Sequence, residues 1–214
     1  MALSDFKYMV VEGPIGVGKT TLARRLADRF AAELLLEEPE ENPFLARYYE
    51  NPRAHALSTQ LYFLLQRIRQ THGLRQSDLF SRVRVADYLM EKDRLFAEMT
   101  LEPDELALYH QVYAQVVGES LQPDLVIYLQ APVNVLQERI ASRGIEYEQS
   151  IDAQYLQRLV SAYTRFFYHY ESSPLVIINA ASIDFANSEE DFELLVEKLG
   201  DVGKGRHYLN PLPL

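Results

Sequence analysis

The sequence predicts an α/β fold, a five-stranded parallel sheet with helices on both faces. Three observations carry that prediction. Short apolar or β-branched runs alternate with longer segments of helical spacing. Each intervening segment is long enough for the dozen or more residues that a parallel crossover needs. The runs are continuously apolar, as strands are when helices cover both faces.

The predicted strands are Tyr8–Val11, Leu34–Glu37, Val83–Ala86, Leu125–Leu129 and Leu175–Ile178. Leu22, Leu26 and Phe30 recur every four residues and predict the first helix, Thr21–Phe30. Leu57, Leu61, Leu64, Leu65 and Ile68 mark a second stripe, and Leu106, Tyr109, Val112, Tyr113 and Val116 a third. Leu156, Leu159, Val160, Tyr163 and Phe167 mark a fourth. Glu189–Leu199 closes the fold with Phe192, Leu195 and Leu199 on one side. The stripes 57–68 and 106–116 are apolar enough to seek a partner surface, which predicts a homodimer. A chain of 214 residues fits one domain, taken as residues 1–204. The tail 205–214 carries two prolines and is expected on the surface or fraying.

Composition removes several classes. The apolar fraction is 48% and the charged fraction 24%, so disorder and collagen are excluded. There is no cysteine, hence no disulfide, thiolate metal site or cysteine nucleophile. A net charge of −10 argues against duplex nucleic acid as a partner, because phosphate neutralisation needs a basic excess. The N-terminus lacks an export signal, and the run Leu125–Leu129 is too short to cross a bilayer. A soluble cytoplasmic protein without membrane contact is expected.

The strongest motif is Gly13-Pro14-Ile15-Gly16-Val17-Gly18-Lys19-Thr20, which fits G-x-x-x-x-G-K-[ST]. It lies between a predicted strand and a predicted helix, as a P-loop requires. Its glycines let main-chain N–H groups approach phosphate oxygens, and the following helix adds its positive end. Lys19 supplies charge to the β- and γ-phosphates, and the Thr20 hydroxyl is placed for Mg²⁺. A nucleoside triphosphate with Mg²⁺ is the ligand this loop predicts. The guanine-reading N-K-x-D of switch GTPases is missing from the chain.

The sequence resembles the deoxynucleoside kinases from about Lys7 to Leu199. Glu12–Thr21 looks like that family's P-loop, and Glu38-Pro39 like its Glu-Pro element after the second strand. Gln60 followed by Gln66-Arg67-Ile68-Arg69 resembles its base-reading helix. Arg139-Ile-Ala-Ser-Arg143-Gly144 with Glu148-Gln149 resembles its lid, at about 139–150. Ile183-Asp184-Phe185 resembles the loop that holds the ATP adenine.

The resemblance implies a P-loop kinase fold with an arginine-bearing lid, and ATP- and Mg²⁺-dependent 5′-phosphorylation of a deoxyribonucleoside, a purine favoured. Glu38 is then the carboxylate that accepts the hydroxyl proton. Its neighbours Glu37, Glu40 and Glu41 leave the local reading ambiguous, and Glu38 is preferred because Pro39 follows it. Gln60 would pair with the base, Tyr49 and Glu148 would hold the 3′-hydroxyl, and Arg67 with Asp93 would read the base as an ion pair. Arg139 and Arg143, four apart on one helix face, would close over the γ-phosphate. Residues Gly13 to Thr21, with Asp184 and Phe185, would hold ATP, and Thr20 with Asp87 the Mg²⁺.

The third strand departs from the family, which usually has an arginine and a serine after the acid. Tyr88 follows Asp87 here, leaving Lys92 or Arg94 as the replacement cation. Ile145 also stands where the family often has a further lid arginine. Two rival readings are a nucleoside monophosphate kinase of the thymidylate type and a nucleotide-binding module without catalysis.

Overall fold

The computed structural model describes residues 6–76, 83–118 and 121–209. Its strands are β1 (Tyr8–Glu12), β2 (Glu33–Leu35), β3 (Arg84–Ala86), β4 (Leu125–Gln130), β5 (Leu175–Asn179) and β6 (Arg206–Leu209). The helices are α1 (Lys19–Phe30), α2 (Leu45–Glu50), α3 (Pro52–Gln76), α4 (Lys92–Thr100), α5 (Pro103–Val116), α6 (Val133–Arg143), α7 (Ala153–Tyr168) and α8 (Glu189–Gly200). The sheet order is β2-β3-β1-β4-β5-β6, and every pairing is parallel.

The sheet therefore has six strands where the sequence predicts five. The sixth comes from the tail. Arg206–Leu209 pairs in register with Leu175–Ile178 of β5, and the Arg206 guanidinium donates to the Phe167 and Tyr168 carbonyls at the end of α7. A four-residue strand with one polar face at a sheet edge has no continuous apolar run to announce it. Residues 210–214 of the predicted tail lie outside the described residues.

Strand alternation sends side chains into two cores. Met9, Val11, Leu125, Ile127, Leu129, Val176 and Ile178 meet Leu22 and Leu26 of α1, Leu136 and Ile140 of α6, and Phe192, Leu195 and Leu199 of α8. Tyr8, Val10, Val126, Tyr128, Leu175 and Ile177 meet Leu95 of α4 and Leu159, Tyr163 and Phe167 of α7. Both faces are covered, so β1 carries no exposed residue.

The two stripes expected to seek a second copy pack within a cluster of their own. Leu57, Leu61, Leu64 and Ile68 of α3 surround a buried Tyr109 with Leu106, Val112 and Val116 of α5. Leu65 and Leu108 remain exposed. Among the described residues, no helix is long and apolar enough to cross a membrane.

The first connection shows why its sequence is fixed. At Gly13 the φ angle is +149°, and a Cβ there would stand 2.4 Å from the Leu129 carbonyl oxygen of the adjacent strand. The preceding Glu12 is 1% exposed, and its carboxylate joins three elements. Oε2 accepts from Gly13 N at 2.7 Å and from the Tyr163 hydroxyl of α7 at 3.0 Å. Oε1 accepts from Leu89 N, in the segment after β3, at 3.0 Å.

Gly13→Ala is expected to lower the unfolding free energy by at least ~2 kcal/mol in a denaturant titration, through strain and overlap. Gly203→Ala, where a Cβ meets nothing within 4 Å, is its control and stays within ~0.5 kcal/mol. Glu12→Gln keeps the shape but turns an amide against N–H donors, and a loss of ~1–3 kcal/mol is expected. Tyr163→Phe removes one of the three donors and costs about 1 kcal/mol in the same titration.

Candidate active site

The segments that follow β1, β2, β3 and β5, with helices α2, α3, α6 and α7, line one cleft of about 460 Å³. Ligands of open parallel sheets bind beyond the carboxyl ends of the strands. One end of the cleft is the P-loop. Ile15 to Thr21 line it, whereas Gly13 and Pro14 do not. Gly18, at φ +105°, leads into α1, and a Cβ there would meet the Phe185 ring at 3.1 Å. Phe185 also belongs to the core, and its carbonyl accepts from Arg25 of α1 at 2.8 Å. Its ring edge closes the loop's flank as well as facing the cleft. Asp184 lines the same end, and its side chain accepts from Asn187 N and Nδ2.

Lys19 donates to the Pro14 carbonyl at 3.2 Å. Loss of hydration, then the nearby Lys92 charge, pulls its ammonium down to about 8. The Thr20 hydroxyl donates to Asp87 Oδ2 at 2.6 Å, and Asp87 Oδ1 accepts from Glu37 N at 2.8 Å. Hydroxyl and buried carboxylate are thus adjacent beside the P-loop, a donor set that suits Mg²⁺ held chiefly through nucleotide phosphates and water. Among the described residues, no group of three or more His, Asp or Glu side chains could hold a metal unaided.

The acidic segment after β2 is where the geometry departs from the sequence reading. Glu37 lines the cleft, whereas Glu38 is exposed and outside it. The strand ends at Leu35, two residues earlier than predicted. Successive side chains of extended backbone point to opposite sides, so only one of the two acids can face inward. Asp87 fixes the choice by holding the Glu37 N–H. Glu38 instead opens a 3-10 turn, Pro39–Glu41, and its carbonyl accepts from Gln66 Nε2 at 3.2 Å. A preference based on the following proline had no access to where the strand stops.

Glu37 is held by two cations. Arg67 of α3 donates to Oε1, and Lys92 of α4 donates to Oε2 at 2.7 Å. Arg67 also donates to Asp93, whose carboxylate is fully buried behind it. Asp93 does not line the cleft and holds Arg67 from behind. Arg67 in turn lies over Phe63 and Tyr88, its guanidinium 5.4 and 5.6 Å from their ring centres. Gln60, Tyr49 and Glu148 all line the cleft near this wall. Tyr49 stacks on Tyr147 with ring centres 5.9 Å apart, and burial raises its hydroxyl above the usual tyrosine range. Glu148 is buried and its carboxyl is raised by desolvation, against the lowering effect of Arg143.

The two arginines expected to form a lid are not equivalent. Arg143 donates to Glu148 Oε2 at 2.6 Å and is half-exposed. Arg139 donates to the Val17 carbonyl at 3.0 Å and the Ala180 carbonyl at 2.8 Å, tying the P-loop to the end of β5. Both line the cleft. The sequence reading missed Glu37 as the inward acid and gave Glu12 no role of its own. The latter's only signal is a charged residue ending an otherwise apolar strand.

Comparisons with known proteins identify the family. The deoxynucleoside kinase family model matches residues 9–202. A deoxyguanosine kinase of Bacillus subtilis is 33% identical over 193 residues, covering 87% of this chain and 92% of the relative. A deoxyguanosine kinase of Lactobacillus johnsonii is 31% identical, covering 92% and 94%. The solved deoxyadenosine kinase from M. mycoides with the products dCMP and dCDP bound superposes with a TM-score of 0.79 at 25% identity, over 91% of this chain and all of that one. With a P-loop, an inward acid and a two-cation clamp in one cleft, and a family match spanning nearly its whole length, the chain belongs to the deoxynucleoside kinase family of phosphotransferases.

Proposed function

We propose that the protein transfers the γ-phosphoryl group of ATP, with Mg²⁺, to the 5′-hydroxyl of a deoxyribonucleoside, a purine being preferred. One observation carries this reading: the P-loop and the inward acid Glu37 line the same cleft, bridged by Asp87, which accepts from both Thr20 and Glu37 N. A donor phosphate on the loop and an acceptor hydroxyl at Glu37 are thereby neighbours, and phosphoryl transfer depends mainly on such positioning.

The loop's N–H groups and Lys19 hold the β- and γ-phosphates. Thr20 and Asp87 are the residues that would hold Mg²⁺, which when bound neutralises charge on the phosphate oxygens. Glu37 accepts the proton of the 5′-hydroxyl as its oxygen attacks phosphorus. Arg143, exchanging Glu148 for phosphate oxygens, stabilises the charge that develops there. The released Glu148 carboxylate and the Tyr49 hydroxyl share the sugar 3′-hydroxyl. Gln60 offers one acceptor and a donor pair to the base edge, with Arg67 beside it. The preference for a purine is supported by the names of the relatives, deoxyguanosine and deoxyadenosine kinases. Residues 139–150 act as the lid.

Steady-state assays with ATP, Mg²⁺ and each of the four common deoxynucleosides test the reading directly. Turnover of deoxyguanosine or deoxyadenosine is expected. Phosphorylation of thymidine monophosphate with none of any nucleoside would replace it by a monophosphate kinase, and no transfer at all by a binding module. Glu37→Gln is expected to lower kcat by ~10²-fold or more. Glu38→Gln, outside the cleft, should remain within about threefold of the wild type. The opposite ranking would return the base to Glu38.

A further inference from the structure

The transfer just described gives Lys92 no part, yet its ammonium is buried in the wall of the cleft. It is 6% exposed and lies in the first turn of α4. Removing an ammonium from water is costly unless its surroundings return the charge interactions lost. Here the return is specific. Nζ donates to Glu37 Oε2 at 2.7 Å and sits 5.5 Å from the centre of the Phe96 ring. Burial pulls its ammonium below the usual lysine range, and Glu12, Asp87 and Asp93 oppose that pull while Arg67 adds to it.

The two cations on Glu37 differ in freedom. Arg67 is locked, since Asp93 holds it from behind and two rings flank it. Lys92 has one strong partner, and its charge reaches Lys19 of the P-loop. Among the described residues, the ion pairs to Glu37 come from Arg67 and Lys92. Tyr88 is buried with its ring beside Arg67, and Arg94 is exposed with its guanidinium 5.9 Å from the Tyr113 ring centre.

We propose that Lys92 is a catalytic residue that holds Glu37 Oε2 until the acceptor binds, yields that oxygen to the acceptor hydroxyl, and then bonds the transferring phosphoryl group. This rests on the reading of Glu37 as the base. Lys92 keeps its three protons throughout. The acceptor proton passes to Glu37, the acceptor oxygen–phosphorus bond forms, and the bond from phosphorus to the β-bridging oxygen breaks. The arrangement places a flexible point charge, and not a rigid fork, between acid and phosphate.

The experiment compares Lys92→Met, Lys92→Gln, Lys92→Arg, Glu37→Gln and the double variant Lys92→Met/Glu37→Gln. Each is assayed in the full chain with ATP, Mg²⁺ and the deoxynucleoside that the wild type turns over fastest, with melting temperatures measured alongside. Lys92→Met and Lys92→Gln are expected to lose ~10²-fold in kcat with KM for both substrates within about threefold. Lys92→Arg should recover to within about tenfold of wild type, because it restores the charge. In the Glu37→Gln background, Lys92→Met should cost far less than it does alone. A kcat within threefold of wild type in Lys92→Gln, or a loss confined to KM, overturns the proposal while an inactive Glu37→Gln keeps the base assignment. Failure of Lys92→Arg to recover activity at wild-type melting temperature also overturns it. Full activity in Glu37→Gln removes the base itself and the proposal with it.

Discussion

The buried carboxylate of Glu12 is the interaction on which the site's geometry depends. A charge that is 1% exposed is tolerated only when donors surround it, and the three found here come from the P-loop, the segment after β3 and α7. The charge therefore couples three connections that are far apart in the chain. It sets the height of the phosphate loop relative to Asp87, two residues before Leu89. Asp87 then passes that position on, accepting from Thr20 on one side and from Glu37 N on the other. A single acid at the end of β1 is thereby linked through the segment after β3 to both Thr20 and Glu37.

A second constraint is electrostatic. The chain carries a net charge of −10, yet its site must gather polyphosphate. The solution is local and alternating. Glu12, Asp87, Glu37 and Asp93 are interleaved with Lys19, Lys92 and Arg67, and each cation is close to at least one acid. Such a wall is costly to leave unpaired at any point. It also means that a ligand enters by exchange, replacing an internal contact with an external one of the same sign. The cost of separating an internal pair is offset as the new pair forms, which favours a site that stays ordered when empty.

Much of the architecture was legible in the sequence because it depends on periodicity and on one dense motif. Five strands and the helix stripes follow from apolar patterning, and Gly13–Thr20 locates the phosphate end without any tertiary information. What escaped detection depended on ends and neighbours. Arg206–Leu209 is too short and too polar to read as a strand by itself, and it forms because β5 offers a free edge. Glu37 and Glu38 are equivalent in composition. Only the end of β2 at Leu35 and the hold of Asp87 on one N–H decide which of them faces inward. The stripes of α3 and α5 were correctly apolar, but sequence spacing does not say that they cover each other.

The same logic separates the two arginines of α6, which the sequence presents as a matched pair four residues apart. Arg139 spends its guanidinium on two main-chain carbonyls, one in the P-loop and one after β5. Releasing it would orphan both carbonyls, so its place is that of a strut between connections. Arg143 has a single side-chain partner and stands at the last turn of α6, just before Gly144 ends the helix in the left-handed region at φ +69°. Its neighbours beyond that glycine are a short 3-10 turn carrying Glu148. Movement of this segment opens the Arg143–Glu148 pair, the Gln149 Nε2 hydrogen bond to the Ile140 carbonyl and the stacking of Tyr147 on Tyr49, with the strut left in place. In the proposed transfer that opening frees both partners together, the guanidinium for phosphate and the carboxylate for the sugar. Donor and acceptor binding would then be linked through one ion pair, each site completed by the half of the pair that the other releases.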